Sequence, residues 1–539
     1  MKLHWSLRLL LAAFAGYVWS LLFAPGSLAP FGWIALGLPI LTCLHVNRRL
    51  AFASGFVFGA AFHAASLSWV YAVMRVHGGL DPLAATGVMA AMVLYLALYP
   101  AAFSICIALL GNKSRGRALR AAPFLWVALE FAQTHAPIFG FPWNLAGYVA
   151  AKSPALIQLA TVTGIYGLSF FMAACGSLFV WVLPSPEQPK WRSSRMAIGL
   201  GAALVVVIGA LAGGLSLPPV TSDRVAVLVQ LNFPQAPQYP ANWMDAHAGE
   251  MDELERMSVE AVRQDRATPP ARSMVIWPEV PAPFYFLDPK FAARAERIAR
   301  DSGAHFLVGV VEWRPGAENR LLPYNSAVML DALGKRVFQY DKIHLVPFGE
   351  YVPQRRWLKF AESLVAEVGD FRAGTAYVTG ELPDEPAPWE MRTPGPPHKF
   401  GVSICYEAIF PNEVRQFVTN GAELLVNISN DGWLGRSAGP DQHLAMARVR
   451  AVENRRWLLR ATNNGYTVAI DPYGRIVAQM ATDVRGVLRA PFSFRSDRTI
   501  YSRWGDWFAW VCVIVSIGFF VRARLFPPRG AASSAPTKG

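Results

Sequence analysis

Apolar runs of bilayer-spanning length recur through the first two hundred residues, broken by short polar connections. They predict membrane spans near 8–24, 29–46, 51–73, 86–110, 119–136, 158–183 and 196–216, and one more at 506–523, "DWFAWVCVIVSIGFFVR". The fifth run carries Pro123 and Glu130 within it. Lys2 and Arg8 ahead of the first run give it the look of a signal peptide, but six further runs follow, which predicts an uncleaved anchor. Between about 217 and 504 the pattern changes. Short β-rich runs such as "RVAVLVQLN" (224–232), "SMVIWPE" (273–279), "HFLVGVVEW" (305–313), "YNSAVMLD" (324–331), "KFGVSICYE" (399–407) and "AELLVNISN" (422–430) read as strands. Helical patterns at 251–265, 289–303 and 442–463 alternate with several of them, and "DALGKRV" and "DPYGRIV" carry Asp-x-x-Gly turn signals. This alternation predicts an α/β domain with buried sheets.

The expected organisation is therefore an N-terminal transmembrane bundle of about seven helices (1–216) and an extracytoplasmic α/β domain (217–504). A C-terminal transmembrane helix (505–526) and a disordered tail (527–539) complete it. Charge sharpens the picture. The chain has 50 Lys and Arg against 37 Asp and Glu, but the α/β segment carries about 33 of each, so the excess sits in the flanks. A nucleic-acid-binding protein would carry its basic stripe on the folded domain, and that class is excluded. Alternate connections hold Arg48–Arg49, then Lys113, Arg115, Arg117 and Arg120, then Lys190, Arg192 and Arg195, whereas the opposite ones offer only Arg75 and Lys152. The bias places both termini in the cytoplasm and the α/β segment on the far side, the periplasm of a bacterium.

Of the five cysteines, Cys43, Cys106, Cys175 and Cys512 lie inside apolar runs, where a cysteine fills space. Cys405 alone lies in the polar segment, directly before Tyr406 and Glu407, with no CxxC spacing to suggest a metal. Two other strand ends also deliver ionisable residues: "MVIWPE" gives Glu279, and "YDKIHLVPFGE" gives Lys342 and Glu350. Sheets hold such positions rigid, so catalytic groups gather there. A thiol nucleophile needs a base and a cation to stabilise the oxyanion it creates, and Glu, Lys and Cys supply these roles without histidine. Taken singly each has a bland reading: a core cysteine, a solvated glutamate, a lysine paired with Asp341.

The flanking phrases "WPE" (277–279), "YDKIHLVPFGEYVP" (340–353) and "CYE" (405–407) resemble the Glu–Lys–Cys triad of the nitrilase superfamily. With "NISNDGWLG" (427–435), "QHLAMARVRAVENRRWLLRATNNGYT" (442–467) and the apolar bundle, the whole chain resembles the apolipoprotein N-acyltransferases. The resemblance implies a four-layer α-β-β-α sandwich on a bundle in the inner membrane. It implies acyl transfer from a phospholipid, typically phosphatidylethanolamine, to the α-amine of a diacylglyceryl-modified cysteine on an apolipoprotein. Glu279 is then the base, Lys342 the oxyanion cation and Cys405 the nucleophile, with Glu350 beside them. Tyr406, Glu407, Trp433 and Arg456 fall at family positions tied to the site or substrate, and Tyr239 stands where the family pattern has a tryptophan. No cofactor or metal is implied, and a monomer is expected.

Two membrane features stand apart. Glu130 is either functional or paired structurally with His135 or a neighbouring helix. "IFGFPWNLAGY" (138–148) reads as an aromatic interfacial or re-entrant segment that could border the lipid's route to Cys405. The stretch 346–365 has the apolar content of a lid against water. The rival readings are a membrane-anchored nitrilase-type amidase or hydrolase, for which eight spans are excessive, and a transporter, for which intramembrane charges are too few. A non-catalytic scaffold would leave Glu279, Lys342 and Cys405 unexplained.

Overall fold

The computed structural model describes residues 4–24, 32–137, 139–183, 217–235, 239–264, 269, 272–280, 282–316, 320–351, 371–385, 391 and 393–525. The span expected at 196–216, residues 352–365 of the expected lid and the tail at 527–539 lie outside them.

Three described helices are long and apolar enough to cross a membrane: Pro82–Gly111, Ile165–Val182 and Trp507–Leu525. A fourth candidate is the pair Arg48–Ser66 and Trp69–Val76, which bends by 54° at its break. The other expected spans take different forms. The first is a 17-residue helix, Trp5–Leu21. The second is split into Gly32–Ala35 and Gly37–Cys43. The fifth, Arg115–Thr134, brings Arg115, Arg117, Arg120 and Glu130 into a 20-residue helix and loses the apolarity of a simple span. Local signals set the ends that do form. Asp81 accepts from the Leu83 and Ala84 N–H groups with Pro82 at the first turn, so the 30-residue helix starts there.

Among the described residues the α/β part has twelve strands in two six-stranded sheets. The first sheet runs β12 (Gly486–Phe492), β1 (Arg224–Gln230), β2 (Met274–Ile276), β3 (His305–Pro315), β4 (Leu321–Leu330), β5 (Arg336–Asp341). The second runs β11 (Ile476–Gln479), β10 (Val468–Ile470), β9 (Trp457–Thr462), β8 (Leu424–Ser429), β7 (Gly395–Ile404), β6 (Thr379–Asp384). In each sheet three neighbouring strands are parallel, β1 to β3 and β7 to β9. Strand alternation sorts the side chains. Ala226 and Leu228 of β1 join Val402 and Ile404 of β7 between the sheets, while Val227 and Val229 meet Met251, Leu254 and Phe291 of the helices outside. Each such fully buried aliphatic side chain contributes about 1.5–3 kcal/mol. Helices Pro411–Thr419 and Gly439–Asn454 cover the other sheet, giving the α-β-β-α order.

One expected element needs adjustment. The helical pattern at 442–463 stops at Asn454: Arg455 turns left-handed (φ 54°) and the chain continues as β9. The apolar run "WLLRAT" fits a fully buried strand as well as a helix, which periodicity alone does not separate. Both Asp-x-x-Gly turns form as expected, Asp331 and Asp471 each accepting two backbone N–H bonds, with Gly334 and Gly474 at positive φ.

The two parts meet over an apolar floor: Tyr406, Ile409, Phe410, Met446, Val449 and Val452 share one core with the helical bundle. Polar ties cross it. The Gln442 Oε1 accepts the indole N–H of Trp143 at 2.7 Å and of Trp69 at 3.2 Å, and its amide donates to the Ser66 carbonyl at the break of the bent pair at 3.1 Å. Glu453 accepts the Ile165 N–H at 2.8 Å.

Candidate active site

The carboxyl ends of four strands converge on one point. β2 is followed by Glu279, β5 by Lys342, β7 by Cys405, and β8 by Asn430 and Asp431. β7 and β8 are parallel neighbours, and β5, reached through the antiparallel β4, runs in the same direction as β2 and β3, so within each sheet these ends fall on one edge.

Lys342 is 1% exposed, with its Nζ 3.0 Å from Glu279 Oε1 and 2.9 Å from Glu350 Oε1. The Asn325 amide donates to both of those oxygens at 2.8 Å, and its backbone carbonyl accepts the Lys342 N–H. Each carboxylate has a further anchor: Glu279 Oε2 accepts the Asn430 N–H at 3.0 Å, and Glu350 Oε2 the Val346 N–H at 2.8 Å. Burial pulls the Lys342 ammonium toward neutrality, but Glu279 and Glu350 outweigh it and hold its pKa well above the usual lysine range.

Cys405 opens a one-turn 3₁₀ helix, Cys405–Ile409, with φ at +49°. A non-glycine residue pays for that conformation in strain of about 1–3 kcal/mol, which the surroundings must hold in place. Glu407 does much of this. Its Oε2 accepts the Ile404 N–H at 2.7 Å, and its Oε1 accepts the Tyr340 hydroxyl, the Ile343 N–H and the His344 N–H. One carboxyl thus ties the Cys405 turn to the segment bearing Lys342. Burial pushes Glu407 up to about 7 against these donors. Burial also pushes the Cys405 thiol up, Glu279 adds to the shift, and Lys342 opposes it, leaving the pKa well above the ordinary cysteine range. That direction favours the thiol over the thiolate.

The residues singled out in the sequence divide. Glu279, Lys342, Cys405, Glu350 and Glu407 come together. Tyr406 is buried beside them, edge-on to His344 and Phe410. Trp433 sits in the turn after Asn430, its ring against His77 of the bundle at 5.0 Å. Tyr239 packs edge-on to Trp243 in the outer core of the first sheet. Arg456 is not brought to the site. It precedes β9, at the opposite end of the second sheet, and its guanidinium is spent on the carbonyls of Ala422 and Asp497. Glu130 accepts the Trp126 indole and the Ala146 N–H, whereas the expected partner His135 lies 3.9 Å from Asp506. Trp143, from the aromatic segment 138–148, reaches Gln442 and lies 5.8 Å from the His443 ring.

Sequence reasoning missed Asn325, which stands in "YNSAVMLD" as the one amide in an apolar strand. It also missed the buried group of Asp431, His443 and Arg460. Among the described residues no cluster of three or more His, Cys, Asp and Glu side chains forms a metal cage. The arrangement suits covalent acyl chemistry at sulfur: a thiol, an anchored carboxylate base and a fixed cation.

A carbon-nitrogen hydrolase family model matches residues 228–496, and an apolipoprotein N-acyltransferase N-terminal domain model matches 15–178. The apolipoprotein N-acyltransferase of Geobacter metallireducens is 35% identical over 511 residues, covering 94% of this chain and 93% of its own. That of Methylococcus capsulatus is 33% identical, covering 93% and 94%, and that of Bradyrhizobium diazoefficiens 34%, covering 96% and 95%. A solved nitrilase-superfamily amidase from Nesterenkonia aligns with TM-score 0.35 and 19% identity over 51% of this chain and 93% of its own. Matched along nearly its full length, bundle and α/β part alike, the chain belongs to the apolipoprotein N-acyltransferase family.

Proposed function

We propose that this chain N-acylates apolipoproteins, using Cys405 as the nucleophile of a two-step transfer from phospholipid. The observation that carries the mechanism is Lys342, buried between Glu279 and Glu350 beside a cysteine at positive φ. In the first step Glu279 takes the thiol proton as Cys405 sulfur bonds to an ester carbonyl of phosphatidylethanolamine. Lys342 and the Tyr406 N–H hold the oxyanion. The ester C–O bond breaks, Glu279 returns the proton to the departing lysophospholipid alkoxide, and a thioester remains.

In the second step the free amine of a diacylglyceryl cysteine attacks the thioester. Glu279 accepts the amine proton, the C–S bond breaks, and the proton passes to the released thiolate. Because the thiol is protonated at rest, proton removal accompanies attack. Glu350 and Asn325 position Lys342 and Glu279.

The same reading places the catalytic domain (217–504) in the periplasm above about eight spans of the inner membrane, with both termini cytoplasmic, on the alternating Lys and Arg of the connections. An anchored amidase would leave the match of the N-terminal bundle without a purpose.

Intact-mass analysis after incubation with phosphatidylethanolamine tests the mechanism beside Cys405→Ser. The expected result is a hydroxylamine-labile acyl adduct on the unmodified protein alone, discharged by a diacylated lipopeptide as an N-acylated product. Discharge by water alone supports the hydrolase, and no adduct on folded, lipid-bound protein overturns the thioester.

A further inference from the structure

The peptide bond between Cys405 and Tyr406 has a partner on its far side. His443, on the Gly439–Asn454 helix, places Nε2 3.1 Å from the Cys405 carbonyl oxygen. A carbonyl only accepts, so Nε2 carries the proton. That leaves Nδ1 to face a buried ion pair. Nδ1 is 3.1 Å from Asp431 Oδ1 and 3.1 Å from Arg460 Nη2, and Arg460 binds both Asp431 oxygens at 2.8 Å. All three side chains are at most 1% exposed. Burial and the Arg460 charge lower the His443 pKa, which suits a neutral ring accepting at Nδ1 and donating at Nε2. The Trp143 indole covers the ring at 5.8 Å, and Ser429 also donates to Asp431.

A trans peptide is planar, and its C=O and N–H point in opposite directions. A group that grips the Cys405 carbonyl therefore sets where the Tyr406 N–H points. It also polarises that N–H through the shared amide. At a residue held at φ +49° this grip acts from the opposite side to the hold of Glu407 on the Ile404 N–H, at the one peptide whose N–H faces the sulfur's reaction partner.

We propose that His443, oriented by Arg460, which Asp431 in turn holds in place, is a positioning residue that aims the Tyr406 N–H at the oxyanion formed during acyl transfer. The inference rests on the acyl-transfer reading of Cys405 and extends it. His443 touches neither substrate nor sulfur, and it takes no proton from either.

The test compares His443→Gln, His443→Asn and His443→Ala in the full-length detergent-solubilised protein. Glutamine reaches the Nε2 position with an N–H donor; asparagine reaches only toward Asp431. Two rates are measured per folded molecule: Cys405 acylation by phosphatidylethanolamine, and Cys405 alkylation by iodoacetamide. Alkylation at a saturated carbon creates no oxyanion, so it reads the thiol alone. The expected result for His443→Asn and His443→Ala is a fall in the maximal acylation rate of about 10- to 100-fold, below the loss of a whole oxyanion donor. The lipid concentration for half-maximal rate and the alkylation rate should stay within about twofold, and His443→Gln should recover acylation to within about fivefold of the unsubstituted protein. If acylation and alkylation fall together, or if glutamine is no better than asparagine, the proposal is wrong. Should the alanine variant fail to fold, the Gln and Asn pair decides alone. Absence of acylation in the unsubstituted protein overturns the parent reading instead, a result these variants do not imitate.

Discussion

Removal of the buried cation should expose how the three charges depend on one another. Lys342→Met keeps the length of the side chain and deletes a charge lying 3.0 and 2.9 Å from two carboxylates. At an effective dielectric of 20, each contact is worth about 5–6 kcal/mol of attraction, set against the several kcal/mol of desolvating the ammonium. Deleting one partner of a buried pair leaves the others uncompensated and costs about 3–5 kcal/mol. Here Glu279 and Glu350 would be left sharing the single Asn325 amide. Glu350→Gln alone keeps Lys342 paired with Glu279 and should cost less, about 1–2 kcal/mol. In the double variant the lost Glu350 charge no longer repels Glu279, so the two costs should not add. A coupling of about 2 kcal/mol is expected. Thermal unfolding of the detergent-solubilised protein, followed by tryptophan fluorescence, reads it: Lys342→Met should lower the midpoint by about 10 °C, and the double variant should recover part of that loss. Both should be at least about 100-fold slower in acyl-adduct formation, since the oxyanion cation is gone. Additivity within about 0.5 kcal/mol, or a Lys342→Met midpoint within two degrees or so of the parent, would falsify the picture of a closed ion cluster.

Three further outcomes follow from other parts of the site. Because burial and Glu279 raise the Cys405 thiol, its alkylation by iodoacetamide should climb about tenfold per pH unit from 7 to 10 without a plateau, while a plateau near 8 would mean a preformed thiolate. Glu407 has a folded pKa raised from 4.5 to about 7, so the stability it lends is complete below about pH 4.5 and lost as the pH rises through 7; Glu407→Gln should flatten that part of the melting profile, and an unchanged slope would count against it. Gly309 has no room for a side chain, since a Cβ there would lie 2.7 Å from Glu279 Cα and 2.6 Å from the Pro278 carbonyl. Gly309→Ala should therefore fold with a displaced base and acylate about 10- to 100-fold more slowly, whereas full activity would show that the backbone of Glu279 yields without consequence.

The meeting of Glu279, Lys342 and Cys405 was legible because each follows a strand of strong apolar character within a distinctive phrase. The strands themselves followed from β-branched runs, and the Asp-x-x-Gly turns from residues that make their own backbone bonds. What could not be read was whatever depends on which strands lie side by side. Asn325 is an unremarked amide until β4 is paired with β5 and its side chain faces two carboxylates. Arg456 lies close in sequence to site residues, yet the helix ends at Asn454 and the chain reverses, so it caps the wrong end of the sheet. Gly309 carried a weak signal, a glycine inside a strand, whose meaning needed the neighbouring backbone. The spans were blurred for another reason: the breaks at 36 and 67–68 fall inside apolar runs that hydropathy reads as continuous, and the Arg115–Thr134 helix starts in a charged flank that hydropathy leaves outside the span.

The apolar floor shared by the bundle and the Cys405 turn, moored by Gln442, fixes that turn against the helices. Under the acyl transfer proposed above, donor and acceptor are both anchored lipids, so their effective concentration at the sulfur is a mole fraction in a two-dimensional fluid, not a molarity. Diluting phosphatidylethanolamine with an inert amphiphile then slows acylation even at constant bulk amount. The enzyme's saturation is a property of the surface around it.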